Sequence, residues 1–448
     1  LNAQGESIYL TDGDVIVDSL IFPPLATNES YGRVNDGKSF AHLLKPTPGE
    51  KNTLARYYGD RLIEFYSSSD NFLDSLSVKI IASDTCEFVS YNLEGRPSTD
   101  RNFKEGQEVH FHGSDKSDLS PYFALYPTSP EFKPSRDLNK LPYLTANCIV
   151  DGDRIISSTG KSYFALTFFS KHYGLPILAL DIKEDDLFNQ DFGIMVKGQN
   201  SNFEREGRDW ERRGTLTVFD ETHTKVHQTE LGVRIHGHAT RLLPQKSIKF
   251  YARTNYDSDT ISGEFLDREN PLARFLVRSF HSEFVGNEFT DFGFRDDIVQ
   301  NIVKDISSVS PQHSTPCVLF INNEFWGLYS WHETTDDDFF ASLENTVPDN
   351  IEILEGASSV YEQFQKVKHL DLDEPLDRLQ FERVFDLQNV VDYILIQTFF
   401  GNTDWPHNNV KMWRNRAENA VFKFAIFDLD ATLKFSQDNY FSRFYSEK

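Results

Sequence analysis

The sequence predicts a multidomain chain in which all-β sandwich modules precede a mixed α/β (α+β) domain. Three observations carry this. At 448 residues the chain is long enough for several hydrophobic cores. Up to about residue 172, apolar residues come in short alternating runs broken by Gly, Pro and Asn, the pattern of strands and turns. Beyond about residue 175, strand-like segments mix with apolar spacings of helical period.

Residues 1–55 supply the first β segment, with Val15-Ile16-Val17 and Leu20-Ile21-Phe22 as strands. Residues 56–172 continue the pattern through Leu76 to Ile81, Phe88 to Tyr91, Val109 to His112 and Tyr163 to Leu166. The stretch from Ser117 to Tyr143 is rich in Pro, Ser and Asp and reads as loop. In residues 173–448, Gly232 to His236, Lys246 to Tyr251, Cys317 to Ile321 and Gly327 to Trp331 read as strands. Arg295 to Ile306 reads as a helix, with Ile298, Val299, Ile302, Val303 and Ile306 on one face. Val384 to Phe400 shows the same period more strongly.

Composition narrows the partners. Asp and Glu number 69 against 45 Lys and Arg, a formal charge of -24, which repels nucleic-acid backbones and anionic membranes. The three cysteines, Cys86, Cys148 and Cys317, show no zinc-ligand spacing. Cys86 and Cys148 could pair if both fall in one β module. No apolar run approaches the roughly 20 residues that span a bilayer. A chain that starts in strand-like sequence at Leu1, and stops 18 residues after Asp430, is expected to be a fragment truncated at its C-terminal end. Trp326, Trp405 and Trp413 are expected in the core rather than on a ligand surface.

Three motifs carry chemistry. Asn402 to Arg414 follows the long apolar helix and holds Asp404 and, five residues on, Asn409 before a strand. That is the layout of a kinase catalytic loop, where the Asp takes or orients a hydroxyl proton and the Asn holds Mg²⁺. Next, the apolar strand Ala425-Ile426-Phe427 ends in Asp428-Leu429-Asp430, hard oxygen donors of the kind Mg²⁺ prefers. Finally, Gly232 to Arg253 reads as strand, loop and strand with lysines, suited to covering phosphates. Each alone is more often a turn, a cap or a surface hairpin; the three together, in this order, point to phosphoryl transfer.

These motifs, with Phe294-Arg295-Asp296 and Phe320 to Tyr329 followed by Glu333, resemble the spore-coat protein H (CotH) kinase family over about 270 residues. The resemblance implies an atypical, two-lobed kinase-like fold with ATP and Mg²⁺ or Mn²⁺ as cofactors. It implies Asp404 as the catalytic residue, Asn409 and Asp428 as metal ligands, and Asp430 as a second-metal ligand or a turn cap. Lys246 becomes the phosphate-contacting lysine with Lys249 as its rival, since strand alternation places them on opposite faces. Arg241 and Glu333 are further nucleotide-site candidates. Ser30-Tyr31-Gly32-Arg33, Asp36-Gly37 and Pro46 to Asn52 resemble the closing half of a lamin-tail domain, and Tyr91 to Pro97 with Asp151-Gly152 resembles the chitobiase-type accessory sandwich.

This sequence departs from the family in three places. His238-Ala239-Thr240-Arg241 replaces a serine-bearing loop, which leaves Thr240 to supply a hydroxyl. Val277 to Glu283 replaces a pattern richer in Asn, and no Gly follows Asp428-Leu429. The implied function is a secreted or surface kinase that phosphorylates Ser or Thr of a protein substrate. The alternative is a non-catalytic surface or adhesion scaffold. A carbohydrate-active enzyme would need a carboxylate pair at glycosidase spacing, which the sequence does not display. The expected location is extracellular or at the cell surface.

Overall fold

The computed structural model describes residues 6–13, 15–22, 30–33, 40–43, 55–56, 62–69, 71–72, 75–82, 86–93, 96–98, 107–111, 141–151, 154–165, 174–243, 245–261, 271–279, 294–307, 309–417 and 420–433. Asp36-Gly37, Pro46 to Asn52, most of the insert after Ser117, Pro244, Phe280 to Glu283 and the aromatic run at Phe441 to Tyr445 lie outside them. The chain divides into two compact units. One takes residues 1–235, 252–259 and 318–327; the other takes 236–251, 260–317 and 328–448.

In the first unit, β1 (Glu6–Asp12) and β2 (Val15–Phe22) form a hairpin, and β3 (Ser30–Arg33), β4 (Phe40–Leu43) and β5 (Ala55–Arg56) form a three-stranded sheet. There follow β6 (Ile63–Ser67), β7 (Asn71–Phe72), β8 (Leu76–Ala82), β9 (Phe88–Leu93), β10 (Arg96–Ser98), β11 (Gln107–Phe111), β12 (Tyr143–Val150), β13 (Arg154–Ser162) and β14 (Phe164–Ala165). They make sheets ordered β10-β9-β12-β13 and β11-β8-β6, with β14 beside β7. Alternation along β8 buries Leu76, Val78 and Ile80 and exposes Ser77 and Lys79. Those apolar residues join Val89, Leu144, Ala146 and Cys148 of the other sheet in one core, as an all-β module requires. Cys86 and Cys148 are joined by a disulfide, which settles the pairing left open by the sequence.

Seven further strands are β15 (Ile177–Ile182), β16 (Arg212–Phe219), β17 (Lys225–His236), β18 (Ser247–Tyr251), β19 (Arg274–Ser279), β20 (Ser314–Ile321) and β21 (Glu324–His332). In the first unit β15 pairs with β16, β16 with β17, and β15 runs parallel to the end of β20; in the second, β18 pairs with β19 and β19 with the end of β21. All six residues of β15 are buried, the continuous apolar reading of a strand covered on both faces. The short helix α1 (Glu184–Phe188) follows it.

The second unit carries the longer helices. They are α2 (Arg295–Ile306), α3 (Asp337–Leu343), α4 (Ala357–Gln365), α5 (Pro375–Phe381) and α6 (Leu387–Phe399). A three-stranded sheet, β22 (Ile351–Glu355), β23 (Lys411–Asn415) and β24 (Lys423–Ala425), runs in that order. Val299, Val303, Tyr393, Ile396, Phe400, Trp405, Met412, Phe424, Ile426 and Leu429 share one core. Trp326, Trp405 and Trp413 are all buried, as expected. The chain as a whole is β-rich, with several sheets and mostly short helices.

Two helices differ from the sequence expectation. The apolar face proposed for α2 is only partly the buried one: Ile302 is 42% and Ile306 69% exposed, whereas Asp296, Asp297, Val299, Gln300 and Val303 are buried. The interior face of α2 is set by polar partners as much as by apolar ones. Helix α6 starts at Leu387 rather than Val384, because Asp386 accepts the Asn389 N–H as an N-cap at 3.0 Å. The residues before it pair instead with Phe422, just ahead of β24: Phe422 N donates to Val384 O at 2.9 Å and Asp386 N to Phe422 O at 3.0 Å.

Candidate functional site

Helix α6 ends at Gly401, whose φ of 62° suits the left-handed position that closes a helix. The buried Asn402 then fixes the loop. Its side-chain amide donates to Gln397 Oε1 at 2.8 Å, and its own carbonyl oxygen accepts the Asp404 N–H at 3.0 Å. Trp405 packs edge-on to Tyr393, with ring centroids 6.1 Å apart, and the Trp405-Pro406 bond is cis. Asp404 is partly exposed on this apolar-backed loop.

Strand β24 runs on through the buried Ile426 into Asp428-Leu429-Asp430. Leu429 is fully buried, while Asp428 and Asp430 on either side of it in sequence are partly exposed. Asn409 ties the two motifs together. Its Nδ2 donates to Asp404 Oδ2 at 2.9 Å and to the backbone carbonyl of Asp428 at 3.3 Å. Because the amide N–H₂ is spent on these acceptors, the amide oxygen remains for a cation. Thr403 donates to Ala431 O from both its N–H and its hydroxyl at 3.2 Å, and Leu433 N donates to Phe400 O at 2.8 Å. Asn409 and Asp428 both sit at positive φ, 55° and 54°. Non-glycine residues in that region cluster at functional sites.

The acidic group has an internal partner. From β19, the Arg278 guanidinium donates to Asp296 and Asp428 and lies 3.1 Å from Asp430 Oδ2. Asp296, the second residue of α2, also accepts from Gln300 Nε2 at 3.2 Å, and Arg295 Nη1 donates to Asp430 O at 3.4 Å. Desolvation and the charges of Asp430 and Asp296 push the Asp428 carboxyl above its ordinary range, and Arg278 opposes the rise.

The Gly237 to Lys246 loop is built on a second set of contacts. Gly237 has φ 108°, and Thr240 Oγ1 occupies the place a side chain on Gly237 would need. Arg241 is buried and folds back so that its Nε donates to Gly237 O. Lys246, fully buried just ahead of β18, donates to the carbonyls of Arg241 at 2.7 Å and Leu243 at 2.8 Å. Burial lowers its ammonium to about 7. Lys249 is half-buried and lies 5.7 Å above the Tyr251 ring.

Glu333, buried after β21, accepts the His313 N–H at 2.9 Å, and its carbonyl accepts Gln312 Nε2 at 2.8 Å. Gln312 in turn meets Gln300, the residue that holds Asp296.

The structure thus brings Asp404, Asn409, Asp428 and Asp430 into one cluster and places Lys246 and Arg241 in one loop. Between these sets runs Ser247, whose Oγ accepts the N–H of Ser279, the neighbour of Arg278, at 3.0 Å. Lys249 contributes to neither set through these contacts. Sequence reasoning assigned no role to Arg278 or Gln300 and quoted Asp296 only as part of a motif. The available signal was helical spacing: Asp296, Val299, Gln300 and Val303 fall on one face, so a carboxylate on an apolar stripe needed a buried cation.

The donor set fits the implied metal. Asp428, Asp430 and the Asn409 amide offer oxygen, the atom hard divalent cations select. A different acidic group, Asp336, Asp337 and Asp338, is taken up by Arg274, at 3.0 Å from Asp336 and 2.9 Å from Asp337, and by capping α3.

The family model described as CotH kinase protein matches residues 233–378 and 362–447, so that stretch is similar to the CotH kinase family. No curated protein matches the chain.

Proposed function

We propose that residues 173–448 form a two-lobed atypical kinase that transfers the γ-phosphoryl group of ATP to a Ser or Thr hydroxyl of a protein. The observation that carries this is Asn409, which bonds the carboxylate of Asp404 and the backbone of Asp428 at once. Asp404 orients the acceptor hydroxyl and takes its proton as the phosphoryl group departs from its leaving oxygen. Magnesium or manganese held by Asn409, Asp428 and Asp430 would neutralise phosphate charge. Lys246 and the Gly237 loop form the phosphate cover: a buried ammonium lowered to about 7 regains its charge beside an anion.

The substrate is proposed to be a secreted or surface protein. The Cys86–Cys148 disulfide supports an oxidising compartment. The two all-β segments, 1–55 and 56–172, are read as lamin-tail-like and chitobiase-appendage-like modules that place the domain at its target.

One observation favours the scaffold reading: Lys246 is engaged by carbonyls of its own loop. Transfer of labelled γ-phosphate to the chain itself or to a casein mixture separates the two. Incorporation that is lost in Asp404→Asn supports the kinase; none in either protein, with both folded, supports the scaffold.

A further inference from the structure

Arg278 lies where a divalent cation would act. Its Nη1 meets Asp296, whose side chain is 1% exposed, while its Nη2 is shared between Asp428 and Asp430, at 43% and 19%. One nitrogen is therefore rooted in the interior and the other plugs the more open carboxylates. The root is itself held, because Gln300 Nε2 donates to the second Asp296 oxygen. Strand pairing of Arg278 with Ser330 and the bond from Ser279 N to Ser247 Oγ fix the backbone beneath it.

Without a cation among them, three clustered carboxylates repel one another. With Arg278 present, the cluster is neutralised in part before any metal arrives, and a metal must displace a planar guanidinium engaged with two of its ligands. A phosphate group offers that guanidinium an equally good bidentate partner. The rooted geometry lets Nη2 leave Asp428 and Asp430 while Nη1 stays on Asp296.

We propose that Arg278 is an internal counter-ion that fills the acidic cluster in place of a divalent cation and yields it only when nucleotide phosphate draws the guanidinium away. This rests on the reading of Asp428 and Asp430 as metal-holding residues. It makes Arg278 a positioning residue that couples metal entry to nucleotide entry, so that free divalent cations alone fill the site poorly.

The test is Mn²⁺ binding without nucleotide, by calorimetry at pH 7.5, on the full chain, Arg278→Gln and Arg278→Lys. Coupling of this kind is typically worth about 5- to 150-fold, so Gln should tighten Mn²⁺ alone by about tenfold. It should also give an Mn²⁺-dependent rise in melting temperature larger than that of the unaltered chain. Lysine keeps the charge without the fork and should tighten binding by about threefold. A folded Gln variant that binds Mn²⁺ no better than the unaltered chain overturns the proposal. Should Gln fail to fold, Lys decides: equal or weaker binding overturns it. Mn²⁺–ATP binding by the unaltered chain, with no gain in either variant, removes the counter-ion role alone. Failure of the unaltered chain to bind Mn²⁺–ATP overturns the site reading and this inference with it.

Discussion

Replacing Gly237 by alanine probes the loop that the kinase reading makes into a phosphate cover. A Cβ there would meet Thr240 Oγ1 at 2.1 Å and Thr240 Cβ at 3.4 Å, and the backbone sits at φ 108°. Moving an L-residue into positive φ costs about 1 kcal/mol, and forcing the hydroxyl aside adds about 1–3, for a total of about 2–4 kcal/mol. The displacement travels, because Arg241 donates to Gly237 O and Lys246 donates to Arg241 O. Urea unfolding followed by tryptophan fluorescence measures the stability, and ATP titration measures the site. Adding Thr240→Ala removes the clashing hydroxyl, so the double variant should recover the steric share and keep only the backbone share. Gly237→Ala within about 0.5 kcal/mol of the unaltered chain, the range of neutral surface changes, would refute the packing described for this loop.

Other consequences can be measured separately. Cys148→Ser opens a disulfide whose ends are 62 residues apart, and loop-closure entropy puts the loss at about 4 kcal/mol; the first unit should then melt earlier, with little change from added reductant. Burial raises Asp181 to about 6, while Ser162 N–H and hydroxyl bonds at 3.2 and 2.7 Å oppose the shift. The folded state therefore holds this proton longer than the unfolded one. Its contribution is full below about pH 4 and is lost as pH rises through 6, by about 3 kcal/mol. Denaturation at pH 4 and 7.5 should show a smaller loss over that range for Asp181→Asn; an unchanged difference contradicts the assignment. ATP bound next to Lys246 should raise its ammonium from about 7, so binding takes up a fraction of a proton at pH 7.5 and weakens as pH rises. Calorimetry in buffers of different ionisation enthalpy reads this directly, and zero uptake removes Lys246 from the phosphate contact.

Much of the frame was legible because it rests on local patterns. Alternation along Leu76 to Ile80 predicts the buried strand face, and helical period predicts both α2 and α6. The Asp404-to-Asn409 spacing predicts that both lie in one loop, and the structure adds the bond between them. What stayed hidden depends on contacts far apart in sequence. Arg278 and Asp428 are 150 residues apart, and no local spacing announces that they meet. The same blindness misassigned the α2 face: Ile302 and Ile306 fit the apolar period, yet Asp296 and Gln300 face inward because Arg278 and Gln312 wait for them. Capping also moved the start of α6, since Asp386 competes for the first turn while Val384 and Phe385 pair with Phe422, just ahead of β24.

The proposed nucleotide and metal site is formed by Asp404, Asn409 and Asp428. It is tested most directly by calorimetric titration of ATP with Mg²⁺ or Mn²⁺ into the full chain and into Asp428→Ala. Metal-dependent ATP binding should disappear in the variant while the fold, checked by circular dichroism, persists. A folded, unaltered chain that binds no ATP in the presence of either metal would contradict it.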